Sequence, residues 1–175
     1  KAGAPPFGPY RRIRKLGEAV GSFVATLNKR VLIVGTGGLS HEPPVPLLQG
    51  ANDEVAEFLI AGRNPTPEFR AARQARTLAT GQVFGTPECG LTPLNSAWDE
   101  AFIQQMIEGR LDEVDQFDID AISHTAGRST HEVRTWVAAF SALRAACGSY
   151  HAQCDYYRPI NEWIAGYGVV SAQGQ

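Results

Sequence analysis

Arg30-Val-Leu-Ile-Val-Gly35, running straight into Thr36-Gly37-Gly38-Leu39-Ser40-His41-Glu42-Pro43-Pro44, is the stretch on which the reading of the fold turns. A continuous β-branched run of this length, placed after a helical pattern, predicts a buried parallel strand. The glycines allow a tight exit from it, and prolines 43, 44 and 46 forbid a regular helix directly afterwards. Upstream, Ile13, Leu16, Val20, Phe23, Val24 and Leu27 fall on one helical face and predict a helix from about Arg11 to Leu27. Downstream, helices are predicted near Asn52–Ala61, over Pro67–Thr80, from Ser96 to about Glu108, and from Ser129 to about Ala146. Gly81 to Asn95 reads as a surface loop and Asp112 to Asp120 as a solvated acidic face. Tyr150–Tyr157 and Trp163–Val170 read as strands. The order predicts an α/β fold, a mostly parallel sheet flanked by helices. Sites in such sheets gather beyond the carboxyl ends of strands, where the His41 loop would lie.

The chain has 175 residues, 43 % of them hydrophobic and 19 % charged. At about 150 residues per domain this is one domain or half-domain, over residues 1–175, with enough apolar content to bury a core. Sixteen basic and 18 acidic residues leave a net charge of -2, too balanced for a protein built to neutralise phosphates, so no nucleic-acid partner is expected. No apolar run is long enough to span a bilayer, and no membrane partner is expected. The opening KAGAPPFGPYRRIRK has no apolar core of a secretory signal and reads as a Pro- and Gly-rich loop leading into the first helix. Cys89, Cys147 and Cys154 are odd in number and form no C-x-x-C pair, which argues against a disulfide framework and for reduced thiols in a cytoplasmic protein.

Of the four histidines, His41 stands out by position. A Gly-rich, Pro-braced loop at a strand end suits an imidazole that moves protons near pH 7, although a loop histidine bonded to backbone is the plainer reading. Glu132 lies three residues after Ser129; it fits a capping box, or a metal-binding carboxylate on the first helical turn. The chain has no H-E-x-x-H, G-x-S-x-G or P-loop, and Gly35-Thr-Gly37-Gly38 followed by prolines does not make a dinucleotide loop. Tyr156, Tyr157, Arg158 and Trp163 form an aromatic and basic patch that reads as strand packing, with Arg158 a candidate for holding a carboxylate.

Several of these stretches, taken together and in order, resemble one family. Val34-Gly-Thr-Gly-Gly-Leu-Ser-His-Glu-Pro-Pro-Val-Pro46, Gly62-Arg-Asn-Pro-Thr-Pro67 and His131-Glu-Val-Arg-Thr-Trp136 are similar to the class III extradiol ring-cleavage dioxygenases. Tyr156-Tyr-Arg-Pro159 and Glu162-Trp-Ile-Ala-Gly166 resemble the members acting on a catechol with a propionate side chain. The resemblance implies non-haem Fe(II), held by two histidines and a glutamate, with a separate acid/base histidine. It implies a catechol and O2 as substrates, ring opening beside the hydroxyls, and a homo-oligomer. Carried over by motif, His41 is implied to be the acid/base and Glu132 the iron carboxylate. The family's iron histidines lie in the first half of a chain about twice as long, and His124, His131 and His151 match neither. The chain is therefore expected to be the C-terminal portion of such a fold. The alternative is a non-catalytic binding or assembly module, in which His41 and Glu132 are a loop residue and a helix cap.

Overall fold

Asn52, Thr66, Asn95 and Asp118 each accept an amide hydrogen bond from three residues further on and so start a helix. The computed structural model describes residues 7–48, 50–62 and 64–175. Along it come α1 (Tyr10–Val24), α2 (Asp53–Ala61), α3 (Pro67–Val83), α4 (Ser96–Ile107), α5 (Ile119–Ala126) and α6 (Arg134–Cys147). The hairpin of β1 (Tyr150–Ile160) and β2 (Ala165–Gly174) closes the chain. Short 3-10 turns stand at Pro87–Cys89, Leu111–Gln116, Arg128–Val133 and Asn161–Trp163. Most of the opening loop, residues 1–6, and Arg63 of the Gly62–Pro67 motif lie outside the described residues.

The core gathers Leu39, Phe102, Ile103, Met106, Leu111, Val114, Val133 and Val137, packed between α4, α6 and the hairpin. Helix α1 lies along α6, and the face it buries is Tyr10, Arg14, Gly17 and Gly21. A Cβ at Gly17 or Gly21 would meet the carbonyl of Ala138 or Ala142, so the two helices approach closely because those side chains are missing. Buried Arg14 is satisfied by both oxygens of Asp115, at 2.9 and 2.6 Å. Part of the acidic stretch read as a solvated face is thus an anchor for α1.

The structure departs from the sequence reading in the sheet. The described residues form a two-stranded antiparallel hairpin, with a bulge between Cys154 and Tyr156, in place of a mostly parallel sheet. The Arg30–Gly35 run is not a strand: among the described residues it finds no backbone hydrogen-bond partner, and Leu32 is 86 % and Val34 69 % exposed. β-branched residues favour extension, but a strand exists only against a neighbour. Of the apolar stripe on α1, Ile13 packs against the core while Leu16, Val20 and Phe23 are exposed. The helix expected from Ser129 begins at Arg134, after a 3-10 turn, and the helix at Pro67 runs on to Val83. No helix among the described residues is long and apolar enough to cross a membrane.

Candidate active site

The loop Gly37–Glu42 is held on every side. Its entrance is tied by the Trp136 indole N–H, which donates to the Gly37 carbonyl at 3.1 Å, and by the Thr135 hydroxyl on the Thr36 carbonyl. Leu39 is fully buried, and its amide donates to Gly166 on β2 at 3.2 Å, while Gly166 N–H returns a bond to the Ser40 carbonyl at 2.8 Å. The His41 amide donates to the Ala126 carbonyl at 3.0 Å and lies 3.2 Å from the Thr130 hydroxyl; the His41 carbonyl accepts from Ser129 N–H at 3.2 Å. Beyond it, the buried Glu42 carboxylate takes the Thr92 amide at 2.9 Å and the Arg128 guanidinium. Burial opposes that charge, but the Thr92 and Arg128 bonds outweigh it and hold the Glu42 carboxyl below its usual range.

Behind the loop sits Asp99, fully buried on the first turn of α4. It accepts the Ser40 amide at 2.6 Å, the Ser40 hydroxyl at 2.7 Å and the Tyr157 hydroxyl at 2.9 Å. Burial pushes the Asp99 carboxyl up, against the pull of these donors and of His41. Tyr157 is also pushed up, by burial and then by its bond to Asp99.

His41 and Glu132 meet at the front of the loop. The His41 Nδ1 lies 2.8 Å from the Leu39 carbonyl. A carbonyl only accepts, so Nδ1 is the donor of that bond, and in the neutral ring the lone pair lies on Nε2. That Nε2 is 3.7 Å from Glu132 Oε2, too far for a hydrogen bond and near enough for the two groups to serve one ligand. Among the described residues Glu132 has only the Gly38 amide besides, at 3.5 Å. A Cβ at Gly38 would press on the His41 ring, and one at Gly37, where φ is +144°, would collide with Glu132; the glycine pair makes room for both side chains. They open on a cleft of about 270 Å³, walled by Thr77, Trp163, Ile164 and Tyr167. Trp163 and Tyr167 pack edge to face, 5.2 Å between centroids. An aromatic wall beside an imidazole and a carboxylate suits a planar aromatic ligand.

The capping box expected for Glu132 is not made: the Ser129 amide goes to His41, and no side chain caps the turn at Arg128. His131 stays out of the cleft, fully buried, with Nδ1 3.2 Å from the Tyr10 hydroxyl and Nε2 2.8 Å from Ser123 Oγ. His124, His151 and Arg158 lie exposed on α5 and β1. Asp99 escaped the sequence reading because Ser96-Ala-Trp-Asp99 resembles a helix start; in the structure Asn95 takes the capping role and Asp99 turns inward. No group of three metal-ligating side chains occurs among the described residues. The half-exposed, weakly bonded Glu132 carboxylate fits a single ligand position, and a three-ligand iron site is not contained in these residues.

A family profile described as the catalytic LigB subunit of aromatic ring-opening dioxygenase matches residues 3–168. A Dechloromonas aromatica protein named 2,3-dihydroxyphenylpropionate/2,3-dihydroxicinnamic acid 1,2-dioxygenase 1 is 78 % identical over 169 residues, which is 97 % of this chain and 54 % of its own length. Proteins named 2,3-dihydroxyphenylpropionate/2,3-dihydroxicinnamic acid 1,2-dioxygenase from Azotobacter vinelandii and Xanthobacter autotrophicus are 75 % and 69 % identical over 170 residues, each covering 97 % of this chain and 54 % of its own length. The chain spans about half the length of the curated relatives it matches.

Proposed function

Because the chain belongs to the family of catalytic LigB subunits of aromatic ring-opening dioxygenases, we propose that it is part of an Fe(II)-dependent extradiol dioxygenase. Its substrates are O2 and a catechol of the 2,3-dihydroxyphenylpropionate type, and the product is a ring-opened 2-hydroxy-6-oxo dienoate. Relatives bearing that substrate in their names, at 69 % identity and above, support the side chain. The observation that carries the reading is the meeting of the His41 Nε2 and the Glu132 carboxylate, 3.7 Å apart, at the mouth of one cleft.

In this reading His41, with its proton on Nδ1, uses the Nε2 lone pair to take a phenolic proton from bound catechol and later returns a proton to the opening ring. Glu132 is the carboxylate ligand, and on the resemblance two histidines complete the set. Ferrous iron, when bound, acidifies the catechol and makes electron transfer to O2 accessible. Trp163 and Tyr167 flank the ring and exclude water from one side. On the resemblance the protein is a homo-oligomer, and its three cysteines, odd in number and without a C-x-x-C pair, support a cytoplasmic setting.

The test is oxygen consumption on adding 3-(2,3-dihydroxyphenyl)propionate after anaerobic loading with Fe(II). It is run on this chain and on a protein that also carries the remaining length of its relatives. The longer protein is expected to consume O2 and form a yellow ring-opened product. A longer protein that binds iron and folds but consumes no O2 with any catechol overturns the reading in favour of a binding module.

A further inference from the structure

We propose that Asp99 is a positioning residue for His41, acting through the peptide unit that joins Leu39 to Ser40. The proposal deepens the dioxygenase reading and rests on it for what His41 does. The N–H of that peptide belongs to Ser40 and donates to Asp99 Oδ1 at 2.6 Å. Its carbonyl belongs to Leu39 and accepts from His41 Nδ1 at 2.8 Å. One planar unit therefore carries the carboxylate on one edge and the imidazole on the other.

Two physical consequences follow. An N–H that donates to an anion shifts electron density toward its own carbonyl oxygen, which strengthens the bond that oxygen accepts. Planarity also means that the Leu39 carbonyl cannot swing away from His41 without pulling the Ser40 N–H off Asp99. The result is a carboxylate, a peptide and an imidazole in series. A carboxylate bonded directly to a histidine fixes the tautomer and ring orientation in the same way in hydrolase triads.

Asp99 is equipped for this task. Its relative exposure is 0 %, and each hydrogen-bond partner donates to it. The Ser40 oxygen already accepts the Asn95 amide at 3.0 Å, which leaves the Ser40 proton for Asp99. Three donors on two oxygens describe an ionised acceptor. The Ser40 carbonyl is pinned from the opposite side by Gly166 N–H at 2.8 Å, so the loop has no slack with which to absorb loss of the Asp99 anchor.

The test is nuclear magnetic resonance of the ¹⁵N-labelled chain at neutral pH, with His41 assigned by the signals lost in His41→Gln. Wild type is expected to hold His41 as the Nδ1–H tautomer and to show a far-downfield Ser40 amide proton. Asp99→Asn keeps an acceptor for that amide but removes the charge. It is expected to lower the ratio of Nδ1–H to Nε2–H roughly threefold to tenfold and to move the Ser40 amide upfield. Ser40→Ala removes the hydroxyl and keeps the peptide, and is expected to leave the ratio within about twofold of wild type. A merely structural Asp99 moves the tautomer no more than Ser40→Ala does, and that equality overturns the proposal. So does a wild-type His41 protonated on Nε2, or an ordinary Ser40 amide, either of which decides the matter should Asp99→Asn not fold. These readouts need neither iron nor substrate, so their failure is distinct from failure of the dioxygenase reading.

Discussion

The His131 imidazole is fully enclosed between Tyr10, Ser123 and the Arg134 guanidinium, which itself stacks 4.1 Å above the Tyr10 ring. Burial, and then the charge of Arg134, depress its pKa from 6.5 to about 4. The folded protein keeps this ring neutral while the unfolded chain takes up a proton below about pH 6.5, so stability is full above that pH and is lost as pH falls toward 4. The span corresponds to about 3 kcal/mol. Protonation would also convert Nδ1 from acceptor to donor, facing the Tyr10 hydroxyl that donates to it. Thermal midpoints measured from pH 7.5 to 4.5 are expected to fall steeply below pH 6.5 in wild type. In His131→Gln, where an amide can replace both ring contacts, the fall should be much shallower; equal slopes would refute the assignment. His131 adjoins Glu132 in sequence and is its opposite in placement, as neighbours on a tight turn must be.

At the scale of elements, the helices were legible and the surfaces they bury were not. Asn52 and Thr66 are caps that a single sequence reveals, since an oxygen-bearing side chain ahead of an apolar period has a local reason to be there. The buried face of α1 has no such local signal. The stripe of Ile13, Leu16, Val20 and Phe23 reads as a core face, yet only Ile13 of it reaches the core and α6 packs against the small residues Gly17 and Gly21 on the adjoining face. Close backbone approach is a property of two helices together, and the pattern along either one carries no sign of its partner. Gly21→Ala should therefore cost about 1–3 kcal/mol through overpacking against Ala142, despite the better helix propensity of alanine. Leu32→Ser, on an 86 % exposed side chain, should change stability by less than about 0.5 kcal/mol. Urea midpoints of the two variants check both at once, and a large loss in Leu32→Ser would show that the Arg30–Gly35 run is packed after all.

Over the whole molecule, several apolar surfaces are left unpartnered where a parallel sheet was expected to cover them. The outward face of α1, the Arg30–Gly35 run and an apolar groove of about 370 Å³ bounded by Val34, Trp136, Phe140 and Val169 are uncovered among the described residues. The site lies where the His41 loop, the Arg128–Val133 turn and the hairpin converge. His41 was legible there because its loop is a local motif. Glu132 was singled out on the resemblance, since its position alone favoured a helix cap, and the structure sets its carboxylate 3.7 Å from His41. Asp99 was not, since its partner is Ser40, 59 residues away, and nothing in one sequence couples the two. In the proposed function His41 and Glu132 serve one centre in different roles, one moving protons and the other holding metal. The direct measurement is Fe(II) affinity and O2 turnover, in parallel, for His41→Ala and Glu132→Gln in a protein that carries the remaining length of the relatives. His41→Ala is expected to bind iron within about twofold of wild type and to lose turnover roughly 10²- to 10⁴-fold. Glu132→Gln is expected to lose iron affinity by roughly tenfold or more. Undiminished turnover in His41→Ala, or undiminished iron binding in Glu132→Gln, would contradict the account.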